Sequence, residues 1–300
     1  MQNFKNKKAF SLIELSIVIL IIGIIIAGIT QSSRLVRQFK LSSARTLTQG
    51  SPAPAVKDLS AWFETTSAAS LIESEADDSA TLSAPNNVTY WYDINPASSY
   101  KHNAAYPSGA FGINAPSYYG NCINGLPCLR FSTAYLTFDG SFLTGVDYTI
   151  FVVEQRRVAT ANYFLGKTAS ASANAGLEFG YSGSTALRLG QGDSNNYSIT
   201  VAAYTAPIPR LHTFFNGTIS GITTPIRHYL NGSATASTTS GSGTFTSLTS
   251  YANASIGSSS TSYYNGDIGE IIIYSRALKN EERTAIEAYL LKKWSIAKAN

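Results

Sequence analysis

The chain has 300 residues, of which 44% are hydrophobic and only 13% are charged. This composition supplies a hydrophobic core and excludes a chain that is disordered throughout, while the low charge density is typical of an exported, β-rich protein. The formal net charge is +4, but the side chains of residues 1–50 sum to +6 and those of the remaining residues to −2. The part beyond residue 50 is therefore not a basic nucleic-acid-binding domain, and no nucleic acid partner is expected for it.

The first predicted element is a helix that crosses a membrane. Residues 9–29 form an apolar run that only Ser11, Glu14 and Ser16 interrupt. At about 1.5 Å per residue, this run spans the roughly 30 Å of a hydrocarbon core. Three lysines precede the run, which predicts a cytoplasmic N-terminus and a periplasmic C-terminal part. A basic stretch follows instead of a small-residue cleavage site, which disfavours an ordinary secretory signal.

Residues 7–15, with the sequence KKAFSLIEL, resemble the N-terminal signal of type IV prepilins and type II secretion pseudopilins. The resemblance implies that a prepilin peptidase cleaves between Ala9 and Phe10 and methylates the new amino group. It also implies that Glu14 faces the Phe10 amine of a neighbouring subunit during assembly, where each charge neutralises the other in an apolar bundle. The implied partners are the peptidase, other pilin or pseudopilin subunits and the inner membrane. Ala9 stands where most family members have Gly.

The helix is predicted to continue beyond the membrane. From residue 31 to 49 apolar and basic residues alternate in an amphipathic pattern, and Gly50, Pro52 and Pro54 then end the helix. We therefore predict a leader over residues 1–9, a transmembrane and amphipathic pilin-type helix over 10–50, a linker over 51–56 and a head domain over 57–300.

The head domain reads as mainly β, with a helix at its end. Runs at 148–153, 211–215, 227–230 and 269–274 are rich in β-branched and aromatic residues, and Asn-Gly pairs that favour hairpin turns follow two of them. About 250 residues of this kind favour one large sandwich. Beyond residue 280 the apolar residues return to helical spacing, which predicts a terminal helix docked on the sheet.

The order of motifs in the head resembles concanavalin A-like or laminin G-like jelly-roll domains of bacterial surface proteins. The closing motif is GDIGEIIIYSRAL at 266–278, and residues 59–63, 88–93 and 124–131 match earlier parts of such a domain in the same order. The resemblance implies a jelly-roll β-sandwich that follows the N-terminal membrane-spanning helix and carries a C-terminal helix. It also implies a lectin-like head.

Two kinds of ligand site are considered for such a head. Lectin-like domains can hold Ca²⁺ as a cofactor with carboxylate and carbonyl oxygens. The loop candidates for Ca²⁺ ligands are Asp139, Asp147, Asp193 and Asp267. Sugar binding requires exposed aromatic side chains beside polar groups, and the candidates in Gly/Ser/Asn-rich surroundings are Tyr118, Tyr119, Tyr197, Tyr263 and Tyr264. The histidines are scattered along the sequence without zinc-ligand spacing.

The remaining residues considered for chemistry are cysteines and paired carboxylates. Cys122 and Cys128 are the only cysteines, in a part expected outside the cytoplasm, and a local disulfide is predicted. Glycoside hydrolases on this fold place paired carboxylates on a Glu-x-Asp-x-x-Glu strand. The only Glu-x-Asp here is Glu75-Ala76-Asp77, and Ala80 stands at the last position. The sequence therefore predicts that the chain is not an enzyme.

These observations predict a pilin-like subunit of a type IV pilus or type II secretion pseudopilus, with a lectin-like head for adhesion or recognition. The head is larger than the usual pilin head, which favours a minor or tip position. The chain is expected to cross the bacterial inner membrane once, with its head in the periplasm, and then to enter a surface filament or pseudopilus. Two alternatives stay open: a membrane-anchored glycan-binding module that does not assemble, and an envelope glycosidase.

Overall fold

The structure is a computed structural model that describes residues 12–67, 70–73, 86–107, 115–167, 172–192, 195–217, 226–235 and 245–299. Three predicted site residues, Ala9, Phe10 and Asp193, lie outside the described residues, as does the Glu75-Ala76-Asp77 motif.

A long helix opens the described chain. α1 spans Leu12–Gln49, ends next to Gly50, and exposes residues 12–26. Near its C-terminal end, Ala44 is buried against the head. Across the described residues, no helix has an apolar stretch long enough to span a membrane. The predicted span begins at residue 9, outside the described residues, and stays a prediction.

The described part of the head consists of nineteen strands and the terminal helix α2 (Asn280–Lys293). The strands are β1 (Leu59–Glu64), β2 (Leu71–Glu73), β3 (Asn86–Trp91), β4 (Ala104–Ala105), β5 (Ser117–Ile123), β6 (Leu126–Phe131), β7 (Leu136–Phe138), β8 (Tyr148–Arg156), β9 (Asn162–Lys167), β10 (Leu177–Tyr181), β11 (Ala186–Gln191), β12 (Asn195–Thr200), β13 (Arg210–Asn216), β14 (Ile226–Leu230), β15 (Ser233–Ala234), β16 (Ala254–Ile256), β17 (Ser258–Ser259), β18 (Ser262–Tyr263) and β19 (Gly266–Tyr274).

Two antiparallel sheets form the sandwich. In sheet A, β19 pairs with β8 on one edge and with β1 and β6 on the other, and the order continues from β8 through β13 and β14 to β15. Sheet B has the order β2-β3-β4-β7-β16-β9-β10-β11-β12. The first residues of β3 pair with β5, which joins β6 in sheet A, so β3 connects the two sheets. The predicted mainly β fold with helices at both ends is confirmed.

Strand alternation divides the buried side chains of sheet A between two cores. On β8, Ile150 and Val152 face sheet B, whereas Phe151 and Val153 belong to the core beneath α2. A strand that is covered on both faces has apolar residues on both faces. This explains why apolar and polar residues do not alternate regularly in 148–153. We call the side toward sheet B the inner face of sheet A and the side toward α2 its outer face.

A β-bulge in β19 changes which face one carboxylate occupies. Ile268 and Ile271 both lie in the core between the sheets although they are three residues apart, and the register shifts between Ile268 and Glu270. Such a bulge reverses the alternation for the residues that follow it. Glu270 therefore lies on the outer face with Ile272, beneath α2. Gly269 is required there, because a Cβ would lie 2.4 Å from Cη2 of Trp294.

Candidate functional site

An open cleft of about 480 Å³ lies on the surface of sheet B. Leu136 and Phe138 of β7 belong to the core, so Thr137 between them faces outward. The residues that line the cleft come from β7, from the segments beside β4 and from the segment before β16: Asn103, Pro107, Tyr135, Thr137, Phe138, Asp139, Ala252 and Asn253. The cleft is thus assembled by neighbouring strands of one sheet.

Thr137, which lines the cleft, belongs to a row of residues from four strands. Tyr90 pairs with Ala105, Ala105 with Thr137, and Thr137 with Ser255, so these residues share one face of sheet B. Thr137 Oγ1 donates to the Ala105 carbonyl oxygen at 3.2 Å. Ser255 lies beneath the β17–β18 ribbon and donates to the Ser258 carbonyl oxygen. Small side chains in the row leave room for a ligand above Ala105 and Thr137.

Aromatic residues form one wall of the cleft. The ring centroid of Tyr135 lies 6.2 Å from that of Tyr263, with 30° between the ring planes, and both side chains are half-buried. Burial raises the pKa of Tyr135, and the neighbouring Tyr263 and Tyr106 raise it further. The Tyr135 phenol therefore stays neutral at pH 7 and can both donate and accept a hydrogen bond beside its apolar ring.

Polar groups form the other wall. The exposed carboxylate of Asp139 accepts a hydrogen bond from the Ser141 N–H at 2.9 Å, and the Ser141 hydrogen bonds lower the pKa of Asp139. Asn103 Oδ1 accepts from the Asp93 N–H at 3.0 Å, which leaves its NH₂ group as the part that can serve a ligand. The cleft therefore combines amide donors with one ionised carboxylate.

His102 lies behind this wall, with its ring 4.3 Å from that of Phe142. Burial lowers the pKa of His102, although Asp93 and Asp139 act in the opposite direction. Its imidazole is consequently neutral at pH 7 and does not offset the charge of Asp139.

The three predicted calcium ligands that the structure describes, Asp139, Asp147 and Asp267, do not come together. Asp139 lines the cleft, Asp147 lies beside Gly217, and Asp267 is buried between Arg130 at 2.6 Å and Arg157 at 3.2 Å. Among the described residues, the one group with metal-ligand proximity is Cys122, Cys128 and Asp267. Its two sulfurs are bonded to each other, so this group does not fit Ca²⁺. No cofactor is assigned to the chain.

The predicted disulfide between Cys122 and Cys128 is confirmed, with a Cα–Cα distance of 5.7 Å. Cys122 and Cys128 belong to β5 and β6, and Cys128 is buried in the outer-face core. The disulfide therefore links adjacent strands of sheet A close to the turn that joins β5 to β6.

The predicted aromatic candidates are dispersed over the head. Tyr263 packs beside Tyr135 at the cleft, whereas Tyr118 packs against the core, the Tyr119 ring lies 3.9 Å from the Arg130 guanidinium carbon, and Tyr197 packs on Phe245. The prediction of Tyr264 as an exposed ligand-binding residue is wrong. Its side chain is fully buried and its hydroxyl donates to Glu154.

Sequence reasoning missed Tyr135, Asn103 and Asn253. Asn103 and Asn253 are 150 positions apart in the sequence. Their segments and that of Tyr135 come together only because β4 pairs with β7 and β7 pairs with β16. Tyr135 stands in an apolar run, so its sequence neighbourhood resembles that of a core residue.

A first polar cluster, the inner network, lies between the sheets around Glu154. Tyr181 donates to Glu154 Oε1 at 2.8 Å, Tyr264 donates to Oε2, and His212 Nε2 lies 3.0 Å from Oε1. Burial would raise the pKa of Glu154, but these hydrogen bonds, with that of His212 the strongest, lower it. The carboxylate is therefore ionised in the core.

The inner network continues from His212 toward the sheet edge. His212 Nδ1 lies 2.9 Å from His228 Nε2, and His228 Nδ1 lies 3.0 Å from the Thr235 hydroxyl. Burial lowers the pKa of both histidines. The contacts assign neutral tautomers in which His228 donates to His212 and His212 donates to Glu154.

A second polar cluster, the outer network, lies beneath α2. Lys293 Nζ lies 3.0 Å from Glu64 Oε2 and 2.8 Å from Glu270 Oε2. Trp294 Nε1 donates to Glu270 Oε2 at 2.7 Å, and Tyr289 donates to its Oε1 at 2.8 Å. Both networks are buried, so their charged groups serve the fold and do not reach a ligand in this structure.

The family comparison decides the class of the head. The profile of the concanavalin A-like lectin/glucanases superfamily matches residues 132–282, half of the chain. The chain belongs to the concanavalin A-like lectin/glucanases superfamily. The profile of the prokaryotic N-terminal methylation motif matches residues 4–30 and confirms the prepilin-type resemblance. Comparison with curated proteins found no match.

Solved structures are similar to this concanavalin A-like protein in fold. Trypanosoma rangeli sialidase in complex with 2,3-difluoro-KDN has a TM-score of 0.50 and 9% identity over 79% of this chain and 33% of that chain. Domain 4 of AbnA, a GH43 extracellular arabinanase from Geobacillus stearothermophilus, in complex with arabinotriose, has a TM-score of 0.37 and 20% identity over 61% and 81%. A mutant of NanB sialidase from Streptococcus pneumoniae has a TM-score of 0.39 and 17% identity over 52% and 27%. The chain thus spans about a third of the Trypanosoma rangeli sialidase, and the likeness concerns the fold alone.

The prediction that the chain is not an enzyme is corrected by the sialidase comparison. Trypanosoma rangeli sialidase shares the fold over 33% of its own length, so this fold occurs within a glycan-active protein. The prediction rested on one glucanase strand motif, and the lack of a single motif does not decide activity for a fold that serves several chemistries.

Proposed function

We propose that the chain is a pilin-like subunit, in a minor or tip position, whose lectin-like head binds glycans outside the membrane. The observation that carries the proposal is the presence, in one chain, of the N-terminal methylation motif at 4–30 and the concanavalin A-like domain at 132–282. The motif implies processing by a prepilin peptidase and assembly with pilin subunits. A type IV pilus and a type II secretion pseudopilus both use subunits of this kind.

Contacts between α1 and the head support a single display unit. Arg45 Nε donates to the Thr66 carbonyl oxygen at 2.7 Å, and the Tyr289 hydroxyl lies 3.4 Å from Thr48 Oγ1. Ala44 is 2% exposed in the same region. The helix that carries the motif is therefore packed against the domain that would meet a ligand.

The cleft on sheet B supports the glycan-binding part of the proposal. Its volume falls within the range of about 300–1,000 Å³ that is usual for small-ligand sites. Tyr135, which offers an apolar ring face, lines the same cleft as the amide of Asn103 and the carboxylate of Asp139. A pyranose ring offers C–H groups to the first and hydroxyl groups to the second.

The proposed processing and assembly residues are Ala9, Phe10 and Glu14. Cleavage after Ala9 would free the Phe10 amine for methylation, and Glu14 of one subunit would neutralise the Phe10 amine of its neighbour within packed helices. We place the unassembled chain in the inner membrane, with the head in the periplasm.

The test is co-expression of the full chain with a prepilin peptidase and a pilus assembly system. Mass spectrometry should find a chain that starts at methylated Phe10. Glu14→Ala should be cleaved normally but be at least about tenfold depleted from sheared filaments, because a charge pair worth about 1.4 kcal/mol or more is lost. Ser16→Ala, on the same exposed segment of α1, is the matched control.

Three results would contradict parts of the proposal. An uncut chain would remove the prepilin assignment. Wild-type incorporation of Glu14→Ala would remove the proposed charge pairing. Cleavage without incorporation of the unmodified chain would favour the membrane-anchored module that does not assemble.

A further inference from the structure

We infer that the cleft on sheet B binds neutral sugars and rejects acidic ones such as sialic and uronic acids. This inference rests on the proposed glycan-binding function and specifies the class of its ligand. It follows from the shape of the cleft, its aromatic wall and the sign of its charge.

The shape of the cleft suits a ring laid on a surface. Thr137, which lines the cleft, pairs with Ala105, and neither has a large side chain; the Tyr135 ring lines the same cleft. Tyr263 packs against Tyr135 and fixes the position of that ring. An open cleft of this form holds one or two sugar rings in contact with solvent, and does not enclose them.

The aromatic wall selects for an apolar ring face. Tyr135 is half-buried, so part of its surface is already removed from water. A sugar that packs against its ring therefore desolvates little additional polar surface. Its neutral hydroxyl, together with the Asn103 amide, can bond to sugar hydroxyl groups. Neither group requires a charge on the ligand.

The charge of the cleft has one sign. Asp139 carries the only formal charge among the described lining residues, and none of those residues is Lys or Arg. The sequence of residues 108–114, which follows Pro107, also contains no charged residue. Lys101, close in sequence to Asn103, donates to the Asn95 carbonyl oxygen.

His102 does not supply the missing positive charge, because burial keeps its imidazole neutral at pH 7. A carboxylate on the ligand would therefore approach Asp139 without a counter-charge among the described lining residues. Like charges repel each other, and no described lining residue supplies a positive charge that would compensate for the lost hydration of the ligand carboxylate.

The experiment compares matched sugar pairs on the full chain in detergent micelles. The probes are neutral oligosaccharides, including lactose, N,N′-diacetylchitobiose and arabinotriose, together with sialylated or uronic-acid counterparts such as 3′-sialyllactose. Titration calorimetry is run with EDTA and, separately, with Ca²⁺. At least one neutral probe should bind, and its acidic counterpart should bind at least about tenfold more weakly in both conditions.

Three variants locate the binding and explain the selectivity. Tyr135→Ala should abolish binding, and Tyr135→Phe should weaken it while keeping the ring. For Asp139→Asn the readout is the ratio of affinities within each sugar pair, which should fall toward onefold. Phe39→Ala, which removes an aromatic side chain that is 65% exposed on α1 and does not line the cleft, is the control and should bind as the unmodified chain does.

The outcomes separate this inference from the proposed function. Preferred binding of an acidic sugar, with or without Ca²⁺, overturns the inference while the glycan-binding function stands. Neutral binding that survives Tyr135→Ala in a folded protein overturns the assignment to this cleft. Lack of binding to every probe overturns both.

Discussion

Sheet A carries buried charge on both faces, and the two networks stabilise it in different ways. On the outer face, one ammonium group, Lys293, lies within 3.0 Å of two carboxylates, Glu64 and Glu270. On the inner face, Glu154 is surrounded by neutral donors, the phenols of Tyr181 and Tyr264 and the imidazole of His212. The outer network therefore depends on a single cation that α2 supplies, whereas the inner network distributes its support over several strands.

The two networks also differ in what removal of one partner leaves behind. Loss of Lys293 leaves two negative charges in one buried site. Loss of one phenol from Glu154 leaves a carboxylate that still has other donors. The comparison can be tested by three measurements, from the largest expected effect to the smallest.

The first measurement removes the cation. Lys293→Met should lower the free energy of unfolding by about 3–5 kcal/mol, because breaking a buried ion pair from one side leaves uncompensated charge. Lys292→Met, the exposed neighbour on α2, should change it by no more than about 0.5 kcal/mol. Urea unfolding of the full chain in micelles measures both. Equal effects for the two variants would show that the outer network does not depend on its cation.

The second measurement removes one neutral donor. Tyr264→Phe should lower the free energy of unfolding by about 1.5–3 kcal/mol, since it deletes a hydrogen bond to a buried carboxylate. Tyr263→Phe is the matched control, because the adjacent residue is half-exposed; we expect a change within about 0.5 kcal/mol. The distributed support of Glu154 would be disproved if Tyr264→Phe cost as much as Lys293→Met.

The third measurement separates the networks by pH. Burial holds the pKa of His228 well below its ordinary value of 6.5. As the pH falls, His228 therefore binds a proton in the unfolded chain but stays unprotonated in the folded chain. Its contribution to stability is complete above about pH 6.5 and decreases as the pH falls below that value, by about 1 kcal/mol between pH 7 and 5.5. His212, with its pKa also lowered, acts in the same direction.

The outer network should not respond in that range. Lys293 and Thr66 hold the pKa of Glu64 below its ordinary 4.5 against the effect of burial, so this stability is lost only as the pH falls below about 4.5. His228→Gln should therefore reduce the slope of stability between pH 7 and 5.5 and leave the loss below pH 4.5 unchanged. The slope that remains belongs to His212 and to His102, which also has a lowered pKa. An unchanged slope in His228→Gln would contradict this assignment.

The elements of the fold could be predicted from the sequence because their signals are local. Gly50 and Pro52 mark the end of α1, and apolar runs such as 148–153 mark strands that are covered on both faces. The disulfide could be predicted because its two cysteines are six residues apart.

The site could not be predicted in the same way, since it depends on strand register. The alternation of side chains places Tyr263 at the surface and its neighbour Tyr264 in the core, and composition does not distinguish them. The bulge at Gly269 moves Glu270 to the outer face, which simple alternation from Ile268 would not predict. Asn103 and Tyr135 meet only after β4 pairs with β7.

The contact of Arg45 with Thr66 would have a mechanical consequence in the proposed pilin-like subunit, which would be held by its helix. Arg45 and Thr48 connect α1 to the end of β1 and to α2, and the segment 51–56 runs alongside these contacts as a second connection. Tension applied along α1 would first load the side-chain contacts, because they are short and directional. The segment 51–56 would become taut only after they broke, so the head would keep a fixed orientation at low force and gain freedom to swivel at high force.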